Sequence, residues 1–309
     1  MSNGPLLKLG TRRSPLALAQ AEEARARLCK AHGWDSNAVE LVPVVASGDK
    51  VQDRPLAEIG GKALWTKELD RWLGEGRIHA SVHSLKDVET IRPEALTLAA
   101  ILPRADKRDR LIGAASLADL PEGAVIGTSA PRRAAQALHR RPDCKVVTFR
   151  GNVATRLAKL EAGEADATFL AAAGLERLGQ DSVGIALDPQ DWLPAPAQGA
   201  IAVECRTDDA ATRELLSVLD HPPSRGEVMA ERALLAALGG NCHSPIAVLC
   251  DYSHGLLAMR AAIFSPDGKE RVEADGNFPV DELEGAAVLA RKLLADAPDA
   301  VRAVFDGPA

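Results

Sequence analysis

Aromatic side chains are scarce in this sequence, at 3% of 309 residues. Proteins that bind single-stranded nucleic acids stack bases on aromatic rings, so this composition argues against such a platform. Basic residues are also in the minority, because the formal net charge is -6 at pH 7, whereas a duplex-binding protein usually carries a basic excess. The sequence therefore predicts a protein with no nucleic-acid partner.

Long apolar runs and paired cysteines are missing as well. No stretch approaches the roughly 20 apolar residues that cross a bilayer, and residues 1–9, interrupted by Pro5, are too short for a secretion signal. The 5 cysteines are an odd number and form no CxxC pair, which disfavours a disulfide framework and a zinc ribbon. We therefore expect a cytoplasmic location and no membrane partner.

Motifs for nucleotides and metals fail in turn. Gly60–Gly61–Lys62 is not a phosphate-binding loop, because Leu56 and Ala63 occupy positions that require glycine and Ser or Thr. No G-x-G-x-x-G follows a predicted strand, and neither H-E-x-x-H nor G-x-S-x-G occurs. The 7 histidines show no spacing typical of metal ligands. We expect neither a nucleotide cofactor nor a metal.

Hydrophobic patterning in the first two thirds of the chain alternates between two periods. Short apolar runs such as Leu6–Gly10 and Ala167–Ala171 predict buried strands. Stretches with helical spacing such as Pro15–His32 and Pro131–Arg140 predict helices that begin at a proline. Regular alternation of this kind predicts α/β domains, with parallel-rich sheets flanked by helices.

Proline-rich and polar breaks predict the domain organisation. The breaks at Pro103–Asp109 and Pro194–Gly199 indicate that one α/β domain is inserted into another, which would form a hinged cleft. After Pro222–Pro223 the pattern becomes that of a small C-terminal α+β domain. The predicted divisions are domain 1 at residues 1–102 and 199–219, domain 2 at 103–198, and domain 3 at 220–309.

Arginines cluster where predicted loops meet predicted helices. Arg12 and Arg13 precede Ser14–Pro15, Arg132 and Arg133 follow Thr128–Ser129, and Arg150–Gly151–Asn152 precedes Arg156. Helix N-termini attract anions, and guanidinium groups bind carboxylates with two parallel hydrogen bonds. For any single pair a solvated surface position is the favoured explanation. Three such junctions together nevertheless predict a cavity for a ligand with several carboxylates.

Two further residues are candidates for chemistry. Asp87, within His83–Val88 after a predicted strand, could stabilise a developing cation, although the pattern alone favours a turn aspartate. Cys242 lies in the loop Gly239–Pro245, where His243 could favour the nucleophilic thiolate. The alternative for Cys242 is a small buried cysteine, which we expect for the other four cysteines.

Several segments resemble, in order and spacing, the motifs of the hydroxymethylbilane synthase (porphobilinogen deaminase) family. They are Gly10–Ala17, Gly60–Lys62 with Lys67–Leu69, His83–Val88, Gly127–Ser129 with Arg132–Arg133, Arg150–Val153 with Thr155–Arg156, Pro196–Gly199, and Glu231–Cys242. The resemblance spans nearly the whole chain. It implies two domains like those of two-lobed periplasmic binding proteins, with a third domain that carries the cysteine loop.

The resemblance also implies an activity and a cofactor. A transferase of this family condenses four porphobilinogens head to tail onto a covalent dipyrromethane primer, releases ammonia at each step, and hydrolyses the product to linear hydroxymethylbilane. This reaction serves haem, chlorophyll or corrin biosynthesis. The implied partner is the small molecule porphobilinogen, and the implied state is a monomer.

Site residues follow from the same resemblance. Asp87 is the implied catalytic residue, and the implied cofactor contacts are Cys242 through a thioether, Lys86, Asp87, Ser129, Arg132, Arg133, Arg150 and Gly151. The implied substrate contacts are Arg12, Ser14, Lys62, Trp65, Arg156 and Gln198. Three positions depart from the family pattern: Trp65 often corresponds to phenylalanine, Glu58 to a cofactor-contacting lysine in some members, and Asn241 separates the glycine pair from the cysteine.

Two other functions compete with this interpretation. A two-lobed solute-binding module would explain a cleft and its arginines, but it would not explain a cysteine loop in a third domain. A cysteine-dependent acyl transferase would need a general base near Cys242, and the adjacent His243 is the only candidate in the sequence. A covalently attached pyrrole chromophore would distinguish the synthase from both.

Replacing Cys242 tests the anchor. Because a thioether requires sulfur as the nucleophile, we expect the Cys242→Ser chain to fold without dipyrromethane. Serine at any of the other four cysteines should leave the cofactor in place. Intact mass after denaturation is the measurement, since a thioether survives unfolding. A Cys242→Ser chain that still carried the mass of two condensed pyrroles would place the anchor elsewhere.

Overall fold

The computed structural model describes residues 5–44, 66–240 and 244–305. These residues divide into two compact units. Unit 1 contains residues 5–44, 66–105 and 200–225, and unit 2 contains residues 106–199 with 226–240 and 244–305. No helix within these ranges is long and apolar enough to cross a bilayer.

A five-stranded mixed sheet forms the centre of unit 1. Its strands are β1 (Leu7–Arg12), β2 (Val39–Val44), β3 (Ala80–Ser84), β4 (Leu96–Ile101) and β10 (Ile201–Arg206). The order across the sheet is β2-β1-β3-β10-β4. Strand β1 runs parallel to β2 and β3, whereas β10 runs antiparallel to β3 and β4. The carboxyl ends of β1 and β3 therefore lie at the same edge.

Helix α1 (Pro15–His32) shows why the sequence forms its elements where it does. Pro15 opens the helix, and the Ser14 hydroxyl accepts a hydrogen bond from the backbone N–H of Ala17, which caps the N-terminus. Gly33, at φ 65, ends it in the left-handed conformation that glycine adopts without strain. Unit 1 also contains α2 (Lys67–Gly74), α6 (Ala210–Ser217) and 3₁₀ turns at Ser36–Ala38 and Leu85–Asp87.

Unit 2 contains a second five-stranded sheet. Its strands are β5 (Asp109–Ile112), β6 (Val125–Gly127), β7 (Lys145–Val147), β8 (Ala167–Ala171) and β9 (Ile185–Ala186), in the order β7-β6-β8-β5-β9. Strand β6 runs parallel to β7 and β8, and β5 runs antiparallel to β8 and β9. The associated helices are α3 (Pro131–Arg140), α4 (Val153–Glu161) and α5 (Ala172–Arg177). Phe169 and Trp192 stack in the core with ring centroids 4.6 Å apart.

The remainder of unit 2 is a three-stranded antiparallel sheet packed with helices. The strands are β11 (Ile246–Ser253), β12 (Leu256–Phe264) and β13 (Arg271–Pro279), and the helices are α7 (Pro222–Ala237), α8 (Glu284–Asp296) and α9 (Asp299–Arg302). The first turn of α7, residues 222–225, belongs to unit 1. His254 and Gly255, at φ 48 and 83, form the two-residue turn between β11 and β12. Buried Leu234, Val248 and Leu289 belong to the core between sheet and helices.

This architecture confirms the predicted fold class, with parallel-rich sheets flanked by helices and a C-terminal α+β part. The antiparallel strands β5 and β10 were not predicted. The alanine- and leucine-rich stretch Glu227–Leu238 predicts a helix. Helix α7 begins earlier, at Pro222, because proline is compatible with the first turn of a helix. The division into three domains, with its boundaries, stays a prediction.

Candidate active site

A small pocket in unit 1 lies at the edge where β1 and β3 end. Arg12, the last residue of β1, lines it together with Ser14 at the start of α1. His83 and Asp87, from β3 and the 3₁₀ turn that follows, also line it. Because β1 and β3 are parallel neighbours, their ends bring residues far apart in sequence to one place. Three of the predicted site residues, Arg12, Ser14 and Asp87, therefore share a pocket.

The backbone around Asp87 is held firmly, whereas its carboxylate is left accessible. Leu85 is buried, and its N–H donates to the carbonyl of Ala200 at 3.1 Å. The N–H of Val88 closes the turn onto the carbonyl of Leu85 at 3.2 Å. Asp87 is half-buried, and no hydrogen bond or ion pair joins its carboxylate to another residue in the described ranges. Lys86, on the same turn, is also half-buried.

Arg13 and Ser14 lie beside this pocket with different roles. Arg13 is exposed and does not line the pocket, so it fits the solvated alternative for this pair. The Ser14 hydroxyl caps α1 by accepting the N–H of Ala17 at 3.3 Å. Ser14 therefore has a structural role as the cap of α1, and its contact with substrate stays a prediction.

An acidic cluster is buried in unit 1. The Arg92 guanidinium contacts three carboxylates at once: Asp70 at 2.6 Å, Glu89 at 2.7 Å and Glu204 at 2.8 Å. Glu204 is fully buried in the central strand β10, and two nitrogens of Arg92 bind its two oxygens. Burial has the largest effect on Asp70 and raises the pKa of its carboxyl above the usual value.

His83 connects this cluster to the pocket. Its Nε2 lies 3.5 Å from the Glu204 carboxylate and 2.8 Å from the Ser81 hydroxyl. Burial would raise the pKa of Glu204, but hydrogen bonds and charge from His83 and Arg92 outweigh burial and lower that pKa to about 2. Glu204 is therefore ionised at neutral pH although it is buried.

A basic cluster is buried in unit 2, around Asp109 at the start of β5. Arg132 Nη1 lies 2.8 Å from Asp109 Oδ2, and Arg133 Nη2 lies 2.7 Å from Asp109 Oδ1. Each guanidinium also donates to a backbone carbonyl, Arg132 to Leu193 at 3.0 Å and Arg133 to Phe169 at 2.9 Å. Both predicted arginines are thus buried in the first turn of α3 and face a carboxylate of the chain itself.

Two more side chains complete this cluster. Trp192 Nε1 donates to Asp109 Oδ2 at 2.8 Å, and Gln198 Nε2 donates to Asp109 Oδ1 at 2.9 Å. Gln198 Nε2 also donates to the carbonyl of Lys107 at 2.8 Å, and the side chain is fully buried. Gln198, predicted as a substrate contact, is therefore part of the Asp109 cluster.

The charges of the basic cluster suit a ligand that bears carboxylates. Burial would raise the pKa of Asp109, but Arg132 and Arg133 outweigh burial and hold it far below the usual range. Two guanidinium groups share this single carboxylate, so one positive charge is left over. In addition, the Nε atoms of Arg132 and Arg133 are buried and have no hydrogen-bond partner among the residues that the structure describes. A carboxylate-rich pyrrole group fits these donors.

The other predicted residues of unit 2 lie on neighbouring loops. Ser129, half-buried, follows β6, and buried Arg150 follows β7. These parallel strands end at the same edge. Gly151 has φ 109, and a Cβ there would lie 2.7 Å from the Thr155 side chain, so only glycine fits. Arg156 Nε donates to the carbonyl of Gly151 at 3.1 Å.

Three predicted residues, Lys62, Trp65 and Cys242, lie outside the described residues, and so do Glu58 and Asn241. The other four cysteines are each buried, as expected. Sequence reasoning missed Asp109, Arg92 and Glu204. Only tertiary placement identifies them, because their partners lie up to 112 positions away in sequence.

Two family models match the chain. One, described as "Porphobilinogen deaminase, dipyromethane cofactor binding domain", matches residues 7–214, and "Porphobilinogen deaminase, C-terminal domain" matches residues 226–296. The chain belongs to the porphobilinogen deaminase family. It is 54% identical over 305 residues to the porphobilinogen deaminase of Sphingopyxis alaskensis, covering 97% of this chain and 96% of the relative. It is 49% identical over 298 residues to that of Paracoccus denitrificans, covering 94% and 95%.

Two solved structures are similar to part of the chain. The VFT2 domain of Bordetella pertussis BvgS matches with a TM-score of 0.38 and 16% identity, covering 69% of this chain and 86% of that domain. A substrate-binding domain of a putative amino acid ABC transporter from Streptococcus pneumoniae matches with a TM-score of 0.40 and 11% identity, covering 68% and 89%.

Family membership establishes the activity. The chain is a transferase, a hydroxymethylbilane synthase of tetrapyrrole biosynthesis, and it contains the dipyrromethane cofactor-binding domain of porphobilinogen deaminases. Neither a solute-binding module nor an acyl transferase would carry that domain.

The buried ion pair of Glu204 predicts a pH-dependent contribution to stability. The folded-state pKa of about 2 lies below the ordinary 4.5, so the stabilisation is fully present above pH 4.5 and is lost as pH falls through 2. At pH 7 we expect Glu204→Gln to lower the free energy of unfolding by about 3 kcal/mol, because Arg92 loses a buried partner. The difference from the parent chain should shrink steadily below pH 4.5.

Urea unfolding at pH 7, 4 and 3 measures this difference. Glu214→Gln is the matched control, since Glu214 is exposed, and it should change stability by less than about 0.5 kcal/mol at every pH. A penalty for Glu204→Gln that stays constant from pH 7 to pH 3 would show that the charge of Glu204 is not what stabilises the fold.

Proposed function

We propose that the pocket of unit 1 is where the pyrrole nitrogens of porphobilinogen become positively charged during condensation, and that Asp87 is the catalytic residue. The observation that carries this proposal is the half-buried Asp87 carboxylate, which no described residue engages and which shares the pocket with Arg12. A carboxylate in a partly water-excluded pocket is well placed to act on a cation.

The reaction requires stabilisation of a charge that is absent from the ground state. When ammonia leaves porphobilinogen, positive charge develops on the pyrrole ring, and the Asp87 carboxylate stabilises it. Such an interaction is stronger in the transition state than in the bound substrate, so it accelerates the chemical step. Arg12 in the same pocket binds an acetate or propionate of the substrate and orients the ring toward Asp87.

We assign the carboxylates of the bound pyrroles to unit 2. The cofactor supplies, when bound, the primer to which substrate units are added. The proposed cofactor contacts in unit 2 are Ser129, Arg132, Arg133, Arg150 and Gly151. The motifs also assign Lys86 and Asp87 to the cofactor, and Arg156 to substrate. Support comes from the surplus positive charge beside Asp109 and from the buried Nε donors of Arg132 and Arg133.

The remaining assignments rest on the motifs. In our proposal Cys242 anchors the cofactor, and Lys62, Trp65 and Gln198 serve the substrate, Gln198 through the cluster in which it is buried. We also propose that the chain has three domains, divided as the sequence predicts. It acts as a cytoplasmic monomer on a small-molecule substrate, without a membrane or nucleic-acid partner.

Substitution of Asp87 tests the catalytic assignment. Asp87→Asn keeps the shape and removes the charge, so we expect normal folding, retention of bound pyrrole, and a loss of turnover on the order of 10²-fold or more. Asp87→Glu keeps the charge but shifts it by one methylene, and its turnover should lie between those of Asn and the parent chain. Ammonia release at saturating porphobilinogen is the measurement.

An aspartate on the surface of the same unit provides the control. The Asp208 side chain is 83% exposed and pairs with Arg206, so Asp208→Asn should turn over at the rate of the parent chain. If Asp87→Asn remained within a few-fold of that rate as well, Asp87 would be a turn residue and the catalytic group would lie elsewhere.

A further inference from the structure

The Asp109 carboxylate is saturated by groups of the chain itself. Its Oδ1 accepts from Arg133 and Gln198, and its Oδ2 accepts from Arg132 and Trp192, with all four distances between 2.7 and 2.9 Å. The side chain is fully buried. A carboxylate with both oxygens doubly engaged and no exposed surface has no capacity left for a ligand, so Asp109 can act only through the groups that bind it.

Those groups are oriented by their contacts with Asp109. A guanidinium is planar and its N–H bonds have fixed directions, so fixing one edge also aims the remaining donors. Arg132 is held at Asp109 and at the carbonyl of Leu193, and Arg133 is held at Asp109 and at the carbonyl of Phe169. Each guanidinium is therefore fixed at two points before any ligand arrives.

Asp109 also offsets part of the positive charge of Arg132 and Arg133. Arg132 and Arg133 are adjacent in sequence, and each is only 5% exposed. Two buried like charges repel strongly when nothing lies between them. Asp109 offsets one of the two charges, which lets both guanidiniums stay buried and still leaves one positive charge for an anionic ligand.

We propose that Asp109 is a positioning residue of the cofactor site, which holds Arg132 and Arg133 in the geometry that receives the carboxylates of the dipyrromethane. This inference rests on the proposed function, in which the two arginines bind those carboxylates. A purely structural ion cluster would stabilise the fold equally with and without cofactor, whereas a positioning residue also changes how tightly the cofactor is held.

The decisive quantity is the rise in unfolding temperature that accompanies cofactor loading. Because the thioether keeps the cofactor attached to the unfolded chain, only its non-covalent contacts in the native state raise the free energy of unfolding. Weaker contacts with the pyrrole carboxylates therefore give a smaller rise in unfolding temperature. The full chain is prepared without cofactor in cells that make no porphobilinogen, and part of it is then loaded with porphobilinogen. Intact mass follows the rate at which two pyrroles are added, and thermal unfolding compares the loaded and unloaded forms.

We expect Asp109→Asn to slow loading on the order of 10-fold or more and to at least halve the rise in unfolding temperature, because misaligned guanidiniums hold carboxylates poorly. Leu293→Ala is the matched control. Leu293 is fully buried in the core of α8, away from this cluster, so its loss should lower both unfolding temperatures and leave their difference unchanged. Asp109→Asn behaving like Leu293→Ala would overturn the proposal.

A second variant keeps the test decisive if Asp109→Asn does not fold. Trp192→Phe keeps an aromatic ring against Phe169 but removes the part of the indole that carries the N–H which Asp109 Oδ2 accepts. We expect it to fold and to load several-fold more slowly than the parent chain. Loading at the rate of the parent chain would contradict a positioning role.

Arg132→Leu separates this inference from the proposed function. If the arginines bind the cofactor, Arg132→Leu diminishes the rise in unfolding temperature, whereas Arg291→Leu, at an exposed pair with Glu284, does not. A full rise in Arg132→Leu would refute the cofactor contact itself, and the positioning role with it. A diminished rise in Arg132→Leu with a full rise in Asp109→Asn would refute the positioning role alone.

Discussion

The carboxylate that two guanidinium groups share at Asp109 is the interaction on which the charged core of unit 2 depends. Burial of three charged groups is tolerable only because each is paired and hydrogen-bonded. The cluster joins β5, the first turn of α3 and the loop that carries Gln198. In that loop Ala197 adopts φ 57, a conformation that costs about 1 kcal/mol in a residue with a Cβ. Its N–H donates to buried Glu231 at 2.6 Å, which helps to hold it there.

Each unit contains a cluster of charged side chains, and the proposed function gives the two units different tasks. In unit 1, Arg92 contacts three carboxylates, and His83 contacts one of these, Glu204. His83 also lines the pocket of Asp87, whose carboxylate has no partner among the residues that the structure describes. In unit 2, two arginines share Asp109. Porphobilinogen brings permanent negative charges on its side chains and develops a positive charge only as ammonia leaves. In the proposed function the arginines bind the negative side chains, and the Asp87 carboxylate accelerates the reaction by stabilising the developing positive charge.

The parts of the fold that depend on local chemistry could be predicted from the sequence, and the parts that depend on distant partners could not. Helices α1 and α3 begin and end at the predicted residues. Their first residues could be predicted because a proline opens each helix. Strand β10 was missed because charged Glu204 breaks its apolar pattern, and the partners that permit its burial, Arg92 and His83, lie more than 100 positions away. Motifs located the arginines and Asp87, but a carboxylate that aims the arginines has no local pattern to reveal it.

A crystal structure of the full chain loaded with its cofactor tests the central claim most directly, because it shows the arginines and the pyrrole carboxylates together. The account predicts that Arg132 and Arg133 stay on Asp109 while at least one pyrrole carboxylate lies within hydrogen-bond distance, about 2.7–3.2 Å, of each guanidinium. It would be contradicted by guanidinium groups that remain on Asp109 while every pyrrole carboxylate is bound by other residues.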